Sequence, residues 1–309
     1  MFITLGIVAI IAGIFLYIRW RTSKLAEEKK LLEDTVEERT LELKDTNSQL
    51  SDAFKDIKDS INYAQKIQQS ILPVESKIKA ALPDFFILFK PRDIVSGDFY
   101  WFGSVNKEGV LHHVIAAADC TGHGVPGAFM SMVGNTILNE IVITKHITNP
   151  SEILSQLHHG VRTALQQSEN ESRDGMDISL CSINSQTNQV LYAGAFNPLW
   201  ILRNNSEMEI IKATKSAIGG FTPDDQVFES HTVQLHKGEA IYLFTDGYAD
   251  QFGGELGKKL TAKKFRDAII LNRDKLMKDQ GFYLANYIEI WKGKESQVDD
   301  ILVIGIRIV

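Results

Sequence analysis

The N-terminal residues show an apolar run followed by a basic cluster. Residues 2–18 carry no charge, and Arg19, Arg21 and Lys24 follow directly. A run of about 17 apolar residues is at the short end for a membrane span, and basic residues after it predict that the rest of the chain is cytoplasmic. A cleaved signal peptide is the alternative, although no small-residue cleavage site precedes the basic cluster. The pattern predicts a single-pass anchor in the inner or plasma membrane over residues 1–20.

Residues 21–74 have a different pattern, rich in Glu, Lys, Asp and Gln, with Pro73 as the first proline. This composition predicts one long helix. Apolar residues recur every seven positions, which predicts a left-handed coiled coil. The first seam contains Val36, Leu43, Leu50, Ile57, Ala64 and Ile71, and the second contains Leu25, Leu32, Ala53 and Ile67. Because polar residues interrupt the second seam, two interpretations stay open: a parallel homodimer stalk that transmits a signal, or a solvated spacer helix.

Short apolar runs of strand length replace the heptads from about residue 83. They cover residues 85–89, 98–105, 112–119, 176–183, 190–195, 199–203, 240–245 and 301–308. Helical patterns cover residues 126–146, 151–167, 262–271 and 276–291. The strands occur in groups and do not alternate with helices, which favours an α+β domain with antiparallel sheets over a doubly wound parallel sheet. We assign this domain to residues 75–309.

Composition narrows the possible partners. The formal net charge is −6 and no basic stretch stands out, so we expect no nucleic-acid partner. Two cysteines, Cys120 and Cys181, are too few for a disulfide framework and lack the spacing of zinc ligands. Both lie in apolar runs, which predicts buried, reduced thiols.

Acidic residues stand where the predicted strands begin or end. Asp119 and Asp246 each follow an apolar run, Asp98 precedes one, and Asp299 and Asp300 precede the last one. An ionised carboxylate beside an apolar strand is costly unless it is paired or bound to a metal. Oxygen ligands suit magnesium or manganese better than zinc. An Asp-Gly pair is also common in plain turns, but four segments with the same pattern predict one shared metal site.

Four segments together resemble a known family. Residues 96–101, 118–128, 244–247 and 299–303 look like the successive motifs of the bacterial SpoIIE-type serine phosphatases, which belong to the PP2C (PPM) superfamily. Residues 67–73 resemble the segment that joins a signalling helix to such a domain. The resemblance covers about residues 60–309 and implies a β-sandwich flanked by helices. It also implies two divalent cations, Mn²⁺ or Mg²⁺, and hydrolysis of a phosphomonoester by metal-bound water.

The resemblance also implies roles for single residues. Asp119 would bridge both cations, and the backbone carbonyl of Cys120 would help to hold one of them. Asp246 and Asp299 would complete the shell of the other cation. Asp98 would act through metal-bound water. Such a pair of cations lowers the pKa of a bridging water, so the chain would need no nucleophile of its own.

The resemblance also suggests roles for His123, Asp177 and Asp300. His123 is a candidate general acid for the leaving oxygen, or it orients a metal ligand through a hydrogen bond. Asp177 is a candidate for holding an extra cation or a water molecule. Asp300 is expected to support the site and not to bind a metal directly.

The sequence therefore predicts a metal-dependent protein serine/threonine phosphatase, regulated through a membrane-linked coiled coil. The resemblance implies a phosphorylated regulatory protein as substrate, such as a STAS-type anti-sigma-factor antagonist. A catalytically weak signalling scaffold is the first alternative. A nucleotide cyclase is the second, although the Gly-His-Gly segment at 122–124 and the Asp pair at 299–300 argue against it.

Overall fold

The computed structural model describes residues 2–309, which divide into two units, one up to Ser60 and one over Ile61–Val309. Helix α1 runs over Phe2–Ile71 without interruption, so the predicted long helix is confirmed. All described side chains up to Ser60 are exposed, including the heptad-seam residues within that range. The apolar start of α1 is long enough to cross a membrane by length and composition, a test that a signal sequence also passes. The coiled coil and the anchor stay predictions.

Two antiparallel sheets form the body of the second unit. One contains β1 (Asp84–Lys90), β13 (Ile301–Arg307), β10 (Ala240–Phe244), β6 (Leu199–Leu202) and β7 (Met208–Ile211), in that spatial order. The other contains β2 (Phe99–Lys107), β3 (Val110–Cys120), β4 (Gly175–Asn184), β5 (Gln189–Ala195) and β9 (His231–Gln234), and β8 (Ile218–Gly219) pairs with β4. A small hairpin joins β11 (Phe252–Gly253) to β12 (Lys258–Lys259).

Helices cover the outer faces of both sheets. They are α3 (Gly124–Leu138), α4 (Pro150–Ala164), α5 (Gly247–Asp250), α6 (Thr261–Leu271) and α7 (Met277–Lys292), whereas the short α2 (Glu75–Ala81) packs Ile78 against the core between the sheets. A π-helical turn over Asn139–Thr144 continues α3. The start of α4 follows from its sequence, because the Asn149 side chain accepts a hydrogen bond from the Glu152 N–H and Pro150 occupies the first turn.

The central strands are mostly apolar because they are buried on both faces of their sheets. In β3, Ile115 and Ala117 pack in the core between the sheets, whereas Ala116 and Ala118 pack against the helices on the outer face. The other sheet behaves likewise, with α6 and α7 on its outer face. The predicted α+β sandwich flanked by helices is thereby confirmed. All eight predicted strands are present, and the short elements α2, α5, β7, β8, β9, β11 and β12 were not predicted.

Candidate active site

The acidic residues meet because of antiparallel pairing. The end of β3 lies between the starts of β2 and β4, so Asp119 has Asp177 as its register partner on β4. In the other sheet, the end of β10 lies beside the start of β13. This places Asp246 next to Asp299 and Asp300. Each sheet therefore brings its carboxylates to one edge.

Side chains from Thr245 and Asp300 join the two edges by hydrogen bonds. The Thr245 hydroxyl, which follows β10, donates to Asp98 Oδ2 at 2.6 Å, immediately before β2. Asp300 Oδ2 accepts from the Gly97 N–H at 2.7 Å, and its Oδ1 accepts from the Arg92 N–H at 2.7 Å. One carboxylate thus clamps both ends of the loop between β1 and β2. Asp300 supports the site through this clamp.

The carboxylates from both sheets line one cavity of about 330 Å³. Its lining includes Asp119, Asp177, Asp246, Asp299 and His123. All five of these residues were candidate site residues in the sequence analysis. Asp98 and Asp300 are buried behind the cavity wall, with 2% and 3% of their surface exposed.

The cavity gathers more negative charge than its surroundings compensate. Burial, together with repulsion from Asp246, Asp299 and Asp177, raises the pKa of Asp119 to about 8. Burial and Asp246 raise the pKa of Asp177 to about 6. The pKa of Asp98 is raised by burial and by Asp119, and that of Asp246 by burial and by Asp299. A cation bound among these carboxylates would offset both the cost of burying their charges and the repulsion between them.

The side chains alone do not form a closed metal cage. Within residues 2–309, no group of three or more His, Cys, Asp or Glu side chains is arranged to hold a cation. The predicted ligands Asp119, Asp246 and Asp299 line the cavity but are not closed around one point. Backbone carbonyls and water would have to complete the shells. The metal-ligand roles therefore stay predictions.

At Cys120 the backbone carbonyl, and not the sulfur, is the atom that could contribute to the site. Its side chain packs in the core beneath the helices, and burial raises the pKa of the thiol well above its usual value. Its carbonyl oxygen lies near Gly97, where an added Cβ would approach it to 3.3 Å. The same Cβ would collide with the Gly122 carbonyl, so a side chain at Gly97 would disturb the site. Both cysteines are free and buried, as predicted.

Two polar contacts near the cavity were not foreseen from the sequence. His123 Nδ1 lies 2.9 Å from Asp93 Oδ2. The Gln68 side chain, near the end of α1, donates to the Ser96 carbonyl at 2.6 Å and to the Ser131 hydroxyl at 2.9 Å, and accepts from the Ser96 N–H. The sequence of residues 67–73 predicted a connection between the long helix and the catalytic domain, but the heptad pattern did not identify Gln68 as the residue that makes it.

The side chains of Lys90 and Arg92, which precede Gly97, make contacts away from the cavity. Lys90 pairs with Glu289 on α7, and the Arg92 guanidinium donates to the Val298 carbonyl at 3.1 Å. Neither lines the cavity. They therefore fix the end of β1 and the start of the following loop to α7 and to the segment before β13.

Comparison with known proteins agrees with this arrangement. The family model described as Stage II sporulation protein E (SpoIIE) matches residues 111–309. The SiaA-PP2C domain of Pseudomonas aeruginosa is 31% identical, with a TM-score of 0.74, over 83% of this chain and 99% of that domain.

Two other solved structures share the fold at lower identity. The PP2C domain with a regulatory fragment of SpoIIE from Bacillus subtilis is 16% identical, with a TM-score of 0.57, over 73% of this chain and 63% of that one. A serine/threonine phosphatase of S. agalactiae is also 16% identical, with a TM-score of 0.53, over 73% of this chain and 99% of its own. No curated protein matches the chain significantly.

Proposed function

We propose that this chain, which belongs to the SpoIIE family of PP2C-type phosphatases, is a metal-dependent protein serine/threonine phosphatase. One observation carries the proposal. Four carboxylates from two sheets line a single cavity, and two more are buried behind it. Such a concentration of acid is costly in the absence of cations.

The residues fit two divalent cations, Mn²⁺ or Mg²⁺. Asp119, Asp246 and Asp299, with the Cys120 carbonyl, would hold them directly, and Asp98 and Asp177 would act through water. All of these donors are oxygens, which these cations prefer. Burial and repulsion among neighbouring aspartates raise the pKa values of Asp119 and Asp177, and a bound cation would offset that repulsion. When bound, the cations would activate water and neutralise the phosphoryl oxygens.

The protein's own groups have three tasks. Thr245 fixes the Asp98 carboxylate through its hydroxyl. Asp300 fixes the loop that carries Asp98. His123 lines the cavity and would supply a proton to the oxygen that leaves phosphorus. The buried Cys120 thiol is not a nucleophile in this account.

The setting of the enzyme is proposed from the sequence pattern. Residues 1–20 would anchor the chain in the inner or plasma membrane, residues 21–74 would pair in a homodimeric coiled coil, and residues 75–309 would be the cytoplasmic catalytic domain. The substrate would be a phosphorylated regulatory protein, with a STAS-type anti-sigma-factor antagonist as the specific expectation. Regulation would pass through Gln68, which bonds both Ser96 beside the site and Ser131 on α3.

The coiled coil can be tested by cross-linking. A cysteine at Val36, in the first seam, should form an interchain disulfide readily in membranes. A cysteine at Ser48, on the opposite side of the heptad, is the matched control and should react slowly. Equal cross-linking at the two positions would remove the homodimer stalk from the proposal.

The catalytic proposal can be tested with the purified full-length chain in detergent. Phosphate release from a phosphoserine peptide should require Mn²⁺ and stop with EDTA. Asp246→Asn should reduce the rate by at least about 100-fold, since it removes a cation ligand. Asp225→Asn, an equal charge change in an exposed loop, should keep the rate. Release that survives Asp246→Asn would remove the site assignment.

The alternatives give different outcomes. A folded wild-type chain that binds Mn²⁺ but releases no phosphate would point to the signalling scaffold. The nucleotide cyclase is disfavoured by family membership and by the sandwich fold.

A further inference from the structure

His123 does not stand alone at the cavity. Its Nδ1 lies 2.9 Å from Asp93 Oδ2, and the two side chains are 53% and 44% exposed. An ionised carboxylate only accepts hydrogen bonds, so Nδ1 must carry the proton of this contact. Nε2 is then the ring nitrogen that is free to exchange a proton with a bound molecule.

The backbone at both ends of the pair is fixed. His123 is extended, with φ −117° and ψ 172°, and stands between Gly122 and Gly124, whose φ angles are +83° and +63°. Other residues adopt such positive angles only with strain, so the two glycines set the path of the chain at His123. His123 is the residue before α3, yet its side chain makes no capping bond to that helix. Its polar partner is Asp93.

Asp93 is held by the clamped loop. The neighbouring Arg92 N–H donates to Asp300 Oδ1, and the Arg92 guanidinium donates to the Val298 carbonyl. Gly97, at the other end of the loop, donates to Asp300 Oδ2. The loop that presents Asp93 is therefore tied at both ends to the start of β13, in the sheet whose strand ends also carry Asp246 and Asp299.

We propose that Asp93 is a positioning residue that holds His123 with Nε2 directed to the leaving oxygen of the substrate. This inference rests on the proposed phosphatase activity. The bond from phosphorus to the serine or threonine oxygen breaks with its electron pair on oxygen, and a water oxygen forms the new bond to phosphorus. The phosphate product keeps the protons of that water until one of them passes through solvent and restores the imidazolium. The Nε2 proton of the imidazolium passes to the departing oxygen, which leaves as the alcohol. Asp93 keeps its hydrogen bond to Nδ1–H throughout and does not change protonation.

The test compares two leaving groups on the full-length chain with Mn²⁺. A serine oxygen needs a proton to leave, whereas nitrophenolate leaves p-nitrophenyl phosphate without one. Asp93→Asn should lower kcat for a phosphoserine peptide by about 10- to 100-fold, within the range of general acid catalysis, and change p-nitrophenyl phosphate turnover by less than about threefold. His123→Gln should show the same split with a larger loss. Because both residues act in one step, the double variant should be no slower than His123→Gln.

Asp225→Asn is the matched control and should leave both substrates unaffected. Equal losses on both substrates, or a further loss from Asp93→Asn in the His123→Gln background, would show a merely structural role and overturn the proposal. So would an Asp93→Asn variant with unchanged rates on both.

A readout without activity separates this inference from the proposed function. In the metal-free chain labelled with ¹⁵N-histidine, the His123 signals, assigned with His123→Gln, should report a proton on Nδ1, and Asp93→Asn should change that pattern. Unchanged ring signals would overturn the pairing. If the wild type turns over neither substrate, the proposed function fails, while the ring signals still decide whether Asp93 orients His123.

Discussion

The hydroxyl of Thr245 donates a 2.6 Å hydrogen bond to the carboxylate of Asp98, and this contact joins the two sheets at the cavity. The same oxygen accepts from the Leu302 N–H at 3.1 Å. Thr245 is fully buried and Asp98 is 2% exposed, so neither group has water as a substitute partner. One side chain therefore couples β10, β13 and the loop before β2. The geometry of the cavity depends on it.

Replacing Thr245 by valine should destabilise the protein. The change keeps the shape but leaves the Asp98 carboxylate and the Leu302 N–H without their partner, which should lower the free energy of unfolding by about 1–3 kcal/mol. Urea unfolding of the two proteins measures the difference. Thr232→Val, at an exposed position of β9, is the control and should change stability by less than about 0.5 kcal/mol. Equal losses in the two variants would refute the importance of the contact.

The neighbours Asp299 and Asp300 should respond oppositely to substitution by asparagine. Asp300→Asn replaces an acceptor of the loop clamp by an amide NH₂, which should lower the free energy of unfolding by about 1–3 kcal/mol. Asp299→Asn removes a charge that repels Asp119 and Asp246, so the metal-free protein should become more stable while cation binding weakens. Unfolding with EDTA and with Mn²⁺ separates the two effects. The same response from both variants would contradict the division of roles.

The metal-free protein should lose stability as pH rises. The pKa of Asp119 is about 8 in the folded state against 3.8 for the ordinary group, and that of Asp177 is about 6. Between these values the folded state binds more protons than the unfolded state. The free energy of unfolding should therefore fall with rising pH, by up to about 1.4 kcal/mol per pH unit for each proton. Urea unfolding in EDTA at several pH values from about 5 to 8 measures this slope.

Two comparisons test the origin of that slope. Asp119→Asn should flatten it between about pH 6 and pH 8, and saturating Mn²⁺ should flatten it as well, because the cation competes with the protons. A slope that is unchanged in Asp119→Asn would show that other groups cause it.

The sequence predicted the elements of the fold better than it predicted contacts between distant segments. Continuous apolar runs of strand length identify strands that are buried on both faces, and those of β3 and β10 were found within two residues. The positions of Asp119 and Asp246 followed from the same runs, because strand ends meet at sheet edges. The short elements β7 and β9 have four residues each, which is too few for a clear period.

The partner of His123 could not be predicted in this way. Asp93 lies 30 residues before His123, in a loop whose path is set by the Asp300 clamp more than 200 residues later. Gln68 presents a similar case, since it belongs to a helix whose heptads describe another surface. Hydrogen bonds of this kind depend on the assembled sandwich and leave no local periodicity.

Gln68 supplies a prediction about the junction between α1 and the catalytic domain. Gln68→Leu leaves both backbone groups of Ser96 and the Ser131 hydroxyl without this partner, so the free energy of unfolding should fall by about 2 kcal/mol. Phosphate release should fall with it, because Ser96 precedes Gly97 and Asp98. Gln69→Leu changes the exposed neighbour on the same helix and should have little effect. If Gln68→Leu changed neither the stability nor the rate of phosphate release, the proposed role of Gln68 in linking α1 to the site would be wrong.

The most direct test of the proposed metal centre is a calorimetric titration of the full-length chain with Mn²⁺ near neutral pH. The wild type should bind two ions per chain, as expected of a two-metal site, and Asp225→Asn should behave identically. Asp119→Asn, which removes the carboxylate proposed to bridge both ions, should lose this binding. A wild type that takes up no Mn²⁺, or an Asp119→Asn variant that binds as well as the wild type, would contradict the assignment.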